Sequence, residues 1–343
     1  MSLIKVLVVD DSAYTRKVLR HLLQGEPDIQ VVGFASDGEE ALERVRELRP
    51  DLVTVDLEMP VMNGIDFIRR QMERAPLPIL AVSAAERGGG LAGDALLAGA
   101  VDFIQKPSRL ASQELETIRE GLLLKIRAWS KVPSSKLRRG LEGLSSPLPS
   151  VQPPLYQAQA VVIGVSTGGP HALNLILPSL PADYPLPIGV VIHMPAGFTH
   201  PLAERLNGCS RIQISEALDG ASFESGCVIG QAGRRFLLYN GIDGAVVQTP
   251  FSTLDRPHNP SVDDLFTSAS AVYGKGLVAI VLTGMGRDGT EGAAWVKAEG
   301  GSVYVESEAS SVVYGMPRAV KEAGLSDGEL ELVDVPGFLM SLV

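Results

Sequence analysis

Ser166 lies in Gly164-Val165-Ser166-Thr167-Gly168, directly after the apolar run Ala160–Gly164. A G-x-S-x-G segment at a strand end makes a sharp strand-to-helix turn that exposes the serine hydroxyl as a nucleophile. The Thr167 N–H then falls at a helix start, where it can donate to an oxyanion. A glycine-rich turn of this kind can also hold a nucleotide phosphate, but that use expects an acid at the end of the next strand, about 20 residues on. The next apolar run, Ile188–Ile192, ends instead in His193. A third run, Val278–Leu282, leads into Thr283-Gly284-Met285-Gly286-Arg287-Asp288-Gly289. Taken alone, Asp288 suits a helix N-cap. Taken with Ser166 and His193, it completes a nucleophile, a base and an acid that orients the base. The order Ser…His…Asp differs from the Ser…Asp…His of α/β-hydrolases and from the orders of the two other serine-hydrolase types. An α/β-hydrolase assignment would use His258 as base, yet His258 sits in a proline-rich loop, not directly after a strand.

A second group of reactive side chains lies in the first third of the chain. Apolar runs end in Asp10-Asp11, in Asp56, in Ser83 and in Lys106-Pro107. Three carboxylates brought together repel one another and need a cation; oxygen ligands without His or Cys suit Mg²⁺. An aspartate beside Mg²⁺ can attack a phosphoryl group, and Ser83 and Lys106 can then bind its oxygens.

These residues need strands to deliver them. Candidate strands Ile4–Val9, Gln30–Ala35, Leu52–Val55, Ile79–Val82 and Val101–Ile104 alternate with stretches of helical periodicity. Such a series predicts a parallel sheet with helices on both faces, its carboxyl edge carrying the acidic group. Residues 129–158 are rich in proline and serine and read as a flexible linker. From residue 159 a second α/β pattern begins, built on Ala160–Gly164, Ile188–Ile192 and Val278–Leu282 as continuous buried strands. Val228–Gly230, Phe236–Tyr239 and Val246–Gln248 are expected to form a small antiparallel insert. The predicted organisation is therefore residues 1–128, a linker, and residues 159–343.

Bulk properties agree with two α/β domains. The chain has 343 residues and is 45% hydrophobic, enough for two cores. Its apolar runs are strand-length, far short of the ~18 residues of a membrane span, so no membrane insertion is expected. Neither a signal peptide nor a cysteine framework is expected, since the start lacks a signal pattern and the chain has only two cysteines. A cytoplasmic location follows from this reading. The net charge of −10 argues against nucleic acid as a partner.

The segments VLVVDDSAYTRKVL, DLVTVDLEMPVMNGIDFI, LAVSA and GAVDFIQKP over residues 3–128 resemble the response-regulator receiver family. The resemblance implies a flavodoxin-like (βα)5 fold with Asp56 as phosphoacceptor and Asp10 and Asp11 as further ligands to Mg²⁺. It also implies Ser83 and Lys106 as readout of the phosphoryl group, Phe103 as the switch aromatic, and a histidine kinase as phosphodonor. VVIGVSTGGP, IHMPAGFTHPLAERL, HNPSVDDLF, AIVLTGMGRDG and VVYGMPRAV over residues 160–323 resemble the catalytic domain of the chemotaxis protein-glutamate methylesterases, the CheB family. That resemblance implies that Ser166 attacks the methyl ester of a chemoreceptor glutamate, His193 moves the proton, Asp288 orients His193, and the Thr167 and Met285 amides form the oxyanion hole. It implies further that the same site can deamidate receptor glutamines, that the unphosphorylated receiver obstructs the Ser166 cleft, and that the esterase chemistry needs no cofactor. The sequence departs from the family pattern at Ile192, Phe236 and Asn259, which is expected to bear on substrate recognition. A receiver-containing adaptor or phosphate sink is the rival reading. A transcriptional regulator does not fit an output half this large.

Overall fold

The computed structural model describes residues 3–83, 88–106, 112–133, 137, 151, 153–154, 156–252 and 258–343. The predicted linker lies largely outside these, as does the Ser83 side chain. The chain divides into two compact units, residues 1–142 and 143–343.

The first unit alternates strands β1 (Ile4–Val9), β2 (Ile29–Ala35), β3 (Leu52–Asp56), β4 (Ile79–Ser83) and β5 (Asp102–Gln105) with helices α1 (Ala13–Leu23), α2 (Gly38–Leu48), α3 (Gly64–Arg74), α4 (Gly88–Ala98) and α5 (Ser112–Trp129). The sheet order is β2-β1-β3-β4-β5, with every pairing parallel. Strand order reverses between β1 and β3, which opens a crevice at their carboxyl ends. Helix starts are capped by residues other than the acidic group. Ser12 Oγ accepts from Thr15 N–H, Asp37 from Glu39 and Glu40, and Asn63 from Asp66. Asp10, Asp11 and Asp56 are thereby left for other work.

The second unit carries a seven-stranded sheet in the order β14-β13-β12-β6-β7-β9-β8, parallel throughout. Its strands are β6 (Ala160–Val165), β7 (Ile188–Ile192), β8 (Ile214–Glu216), β9 (Cys227–Ile229), β12 (Leu277–Val281), β13 (Ser302–Glu306) and β14 (Gly328–Leu330). Helices α6 (Gly169–Ile176), α7 (Thr199–Cys209), α8 (Val262–Tyr273), α9 (Thr290–Ala298), α10 (Met316–Glu322) and α11 (Val335–Met340) cover it. β6, β7 and β12 are buried at every residue, as strands covered on both faces must be. The chain runs outward from β6 through β7, then returns to β12, so the switch point lies between β6 and β12.

The antiparallel insert is smaller than expected. β10 (Leu237–Asn240) and β11 (Ala245–Gln248) pair as an antiparallel hairpin. The Val228–Gly230 segment instead belongs to β9, which pairs parallel with both β7 and β8. Its residues Cys227–Ile229 are all buried, a run too short for periodicity to tell an insert from an inner strand.

Candidate functional site

In the first unit, β1 delivers Asp10 and Asp11 and β3 ends in Asp56. One carboxylate oxygen from each lies within 4.8 Å of the others. Asp10 is fully buried and Asp56 nearly so, whereas Asp11 is exposed. Lys106, just beyond β5, reaches back over the sheet edge: its Nζ is 2.6 Å from Asp56 Oδ2 and 2.9 Å from Asp10 Oδ2. Burial raises the Asp56 carboxyl above its usual range against the pull of Lys106. Burial also opposes the Lys106 charge, but its bonds to Asp56 and Asp10 outweigh that and raise it. An all-carboxylate donor set with an exposed member fits a hard divalent cation that keeps several waters. Ser83 ends β4, one residue past Val82, the register partner of Asp56. Phe103 is buried in β5, with Lys125 Nζ 5.3 Å from its ring centre. Lys125 is held there by Asp102 Oδ1 at 2.6 Å and Phe103 O at 2.8 Å.

In the second unit, adjacent strands bring Ser166 and His193 to one edge. Val165 and Ile192 are register partners, and His193 N–H donates to Val165 O at 3.2 Å. On the other side, Ser166 N–H donates to Thr283 O at 3.0 Å, which ties the serine to the loop after β12. Gly168, at φ +87°, takes the left-handed turn into α6. Gly284 is needed for close approach, because a Cβ there would lie 2.8 Å from Ser166 Cβ.

His193 Nε2 lies 2.8 Å from Asp288 Oδ2. A carboxylate only accepts, so Nε2 carries the proton and Nδ1 holds the lone pair. Nδ1 is buried without a hydrogen-bond partner among the described residues. The Ser166 hydroxyl likewise has no partner among them, nor do the Thr167 and Met285 amides. Four groups that acyl transfer would use are thus unspent.

Asp288 does not cap its own helix. It caps α8 from outside: Oδ2 accepts Val262 N–H at 2.8 Å, and Oδ1 accepts Asp263 N–H at 3.0 Å and the Ser261 hydroxyl at 2.8 Å. Burial would raise its carboxyl, but His193 and the helix amides outweigh burial and hold it below the usual carboxylate range. Asp263 returns the favour. Its Oδ1 accepts Gly289 N–H at 2.9 Å and Gly292 N–H at 2.7 Å, capping α9. Burial, aided by the negative Asp288, pushes Asp263 up to about 6 against those two amides.

His258 stacks on His193, with ring centres 3.9 Å apart and planes 13° from parallel. Burial, then the neighbouring His193, depresses its pKa. Sequence reasoning missed Ser261, Asp263, Thr283 and Glu306 as supporting residues. Asp263 stands in the first turn of α8 with Asp264, a signature of its own helix start and not of α9. The departures at Ile192 and Phe236 fall on fully buried side chains. A Cβ on Gly169 would lie 3.0 Å from Ile192 Cδ1, which places that side chain beneath the α6 turn. Asn259 holds the neighbouring loop through its carbonyl, which accepts Gly233 N–H at 2.9 Å.

Comparison with known proteins adds to this geometry. Residues 161–339 match the CheB methylesterase family model, and residues 6–118 match the response regulator receiver domain. A protein-glutamate methylesterase/protein-glutamine glutaminase of Thermotoga maritima is 41% identical over 99% of this chain and 98% of its own. One of Myxococcus xanthus is 42% identical over 95% of this chain and 94% of its own. The crystal structure of the Thermotoga maritima CheB methylesterase catalytic domain is 40% identical with a TM-score of 0.53, covering 55% of this chain and all of that one. On the extent of these matches, the chain belongs to the CheB methylesterase family, with a response regulator receiver domain at its N-terminal end.

Proposed function

We propose that the protein is a phosphorylation-activated protein-glutamate methylesterase that also deamidates glutamine, acting on a chemoreceptor. The observation that carries this reading is the His193 Nε2–Asp288 Oδ2 hydrogen bond of 2.8 Å, beside a serine turn whose hydroxyl and following amide are unspent. Ser166 Oγ attacks the ester carbonyl as its proton passes to His193 Nδ1. The oxyanion accepts from the Thr167 and Met285 amides, and Asp288 stabilises the imidazolium. Collapse returns the proton to the leaving oxygen, releases methanol and leaves an acyl-serine. Water, deprotonated by His193, then frees the glutamate carboxylate. With an amide substrate the leaving group is ammonia.

In the receiver, Asp56 takes the phosphoryl group from a histidine kinase. Asp10, Asp11 and Asp56 would hold Mg²⁺, which when bound offsets the negative charge of the phosphoryl oxygens. Lys106 leaves its ion pairs to bind one of those oxygens, Ser83 binds another, and Phe103 reorients with them. Both cysteines are free, in keeping with a cytoplasmic setting. Among the described residues no helix is long and apolar enough to cross a membrane.

The test is methanol release from membranes carrying the methylated receptor. Wild-type protein with a phosphodonor and Mg²⁺ should release methanol and Ser166→Ala should not. Equal release by both would refute the reading.

A further inference from the structure

Glu306 ends β13 fully buried, at the same sheet edge as Ser166 but on the far side of β12. A buried carboxylate is costly unless it accepts hydrogen bonds. Its Oε2 accepts Thr283 N–H at 2.7 Å and its Oε1 accepts the Ser310 hydroxyl at 2.9 Å. Thr283 in turn serves the serine turn twice. Its carbonyl accepts Ser166 N–H at 3.0 Å, and its hydroxyl donates to Thr167 O at 2.8 Å. The same hydroxyl accepts Val313 N–H at 3.0 Å, while Gly284 N–H donates to Val313 O at 3.0 Å. Gly284 O then accepts Met316 N–H at 2.8 Å. Ser310 Oγ, bonded to Glu306, accepts Leu332 N–H at 3.1 Å.

Thr283 therefore braces the surroundings of both amides assigned to the oxyanion. The Thr167 N–H belongs to the Ser166–Thr167 peptide, whose carbonyl accepts Gly169 N–H at 2.7 Å, and Thr283 bonds to the peptide on either side of it, through Ser166 N–H and Thr167 O. The Met285 N–H belongs to the Gly284–Met285 peptide, one step beyond Thr283, whose carbonyl accepts Gly315 N–H at 3.1 Å and Met316 N–H at 2.8 Å. We infer that Glu306 is a positioning residue for the esterase reaction: through Thr283 it sets the separation and direction of the two amides that receive the oxyanion. This rests on the proposed esterase reading. Glu306 itself touches neither substrate nor the reacting atoms. Its effect should therefore fall on the transition state and spare ground-state binding.

The experiment compares Glu306→Met and Glu306→Gln with wild type in full-length phosphorylated protein, reading kcat and KM for receptor methyl-ester hydrolysis. Met fills the space without an acceptor and leaves Thr283 N–H unpaired. Gln keeps an oxygen for Thr283 N–H and offers its NH2 to Ser310 Oγ, which can accept. Glu306→Met should lower kcat roughly 10- to 100-fold, the scale of a small misplacement of reacting groups, with KM nearly unchanged. Glu306→Gln should restore kcat to within about threefold of wild type, a factor worth less than ~1 kcal/mol. A transition-state mimic such as a boronic acid, which bonds to Ser166 and presents an oxyanion, should lose affinity for Glu306→Met in parallel with kcat. Should the Met variant fail to fold, Thr283→Val, which deletes only the hydroxyl bridge, should show the same split on a smaller scale. Wild-type kcat in Glu306→Met, or a loss in KM alone, would overturn the inference while leaving the esterase reading intact. Absence of hydrolysis by wild type would instead overturn that reading.

Discussion

Asp288→Asn should cost the catalytic unit both activity and stability, and the structure sets the size of each. The substitution keeps the side-chain volume but removes the charge and one acceptor. In the native site Oδ2 serves His193 and Val262 N–H, while Oδ1 serves Ser261 Oγ and Asp263 N–H. Whichever way an asparagine turns, its NH2 meets a backbone N–H of α8. One buried amide left unpaired costs ~1–3 kcal/mol, and losing the negative charge at a helix N-terminus adds ~0.3–1 kcal/mol. A loss of about 1–4 kcal/mol follows. Activity should fall by about 10⁴, since His193 loses the acceptor that fixes its tautomer. Ser166→Ala supplies the contrast, because its hydroxyl has no partner among the described residues. It should abolish turnover while shifting stability by less than ~0.5 kcal/mol. The assay is urea unfolding of a fragment comprising residues 150–343, followed by Trp295 fluorescence, beside methanol release from receptor membranes. Wild-type stability in Asp288→Asn would refute the capping role, and near-normal turnover would refute the orienting role.

Four further outcomes are expected. His258→Ala should reduce turnover by far less than His193→Ala, because His258 contacts the base only through its ring face; loss of activity in the first with retention in the second would reverse the assignment. Labelling by a phosphodonor should require Mg²⁺ and vanish in Asp56→Asn, and robust labelling of that variant would place the phosphoacceptor elsewhere. The fragment of residues 150–343 should hydrolyse ester without phosphodonor and faster than unphosphorylated full-length protein; equal or slower turnover would refute occlusion and leave the receiver to activate the site directly or only to deliver it to its receptor. Asp263 is raised from 3.8 to about 6 on folding, so the native state binds its proton first and gains stability as pH falls through that window. Asp288, lowered on folding, contributes stability above 3.8 that is lost only as pH falls further. His171, lowered by burial to about 4, and His258, lowered by burial, act the other way, because the unfolded chain takes up their protons first as pH falls. The Asp263 share is therefore read as a difference: between pH 7 and pH 5 the urea midpoint of Asp263→Asn should fall more steeply than that of the unsubstituted fragment, and parallel profiles would refute it.

Most of the fold was legible because buried strands and amphipathic helices carry their own periods. Ala160–Val165 and Ile188–Ile192 are uninterrupted apolar runs, and each points to the reactive residue that follows it. β8 and β14, at three residues each, carry too little pattern to be recognised. β13 was hidden for a different reason: it ends in a glutamate, and sequence reasoning does not expect a fully buried carboxylate inside a sheet. The three departures from the family pattern were legible as departures; that Ile192 and Phe236 turn inward, fully buried, was not.

What local spacing cannot reveal is an exchange of partners. An aspartate between a strand and a helix is read as the cap of that helix, because a side chain reaches the amides two and three residues on. Asp288 and Asp263 each forgo that use. Asp288 accepts the first amides of α8, Asp263 accepts amides at the start of α9, and the two lie 25 residues apart in the chain. The exchange locks the two helix starts together and leaves Ser261 Oγ bonded to Asp288 instead of to its own helix. It also sets the chemistry. A carboxylate that already accepts two helix amides stays ionised in a buried place, and an ionised acceptor keeps the His193 proton on Nε2 and the lone pair on Nδ1. The same rule extends to Glu306, whose acceptor capacity is given to a loop on a neighbouring strand. In each case a buried carboxyl group accepts backbone N–H from a different element. The stability of the loops and the direction of the reactive groups therefore rest on the same hydrogen bonds.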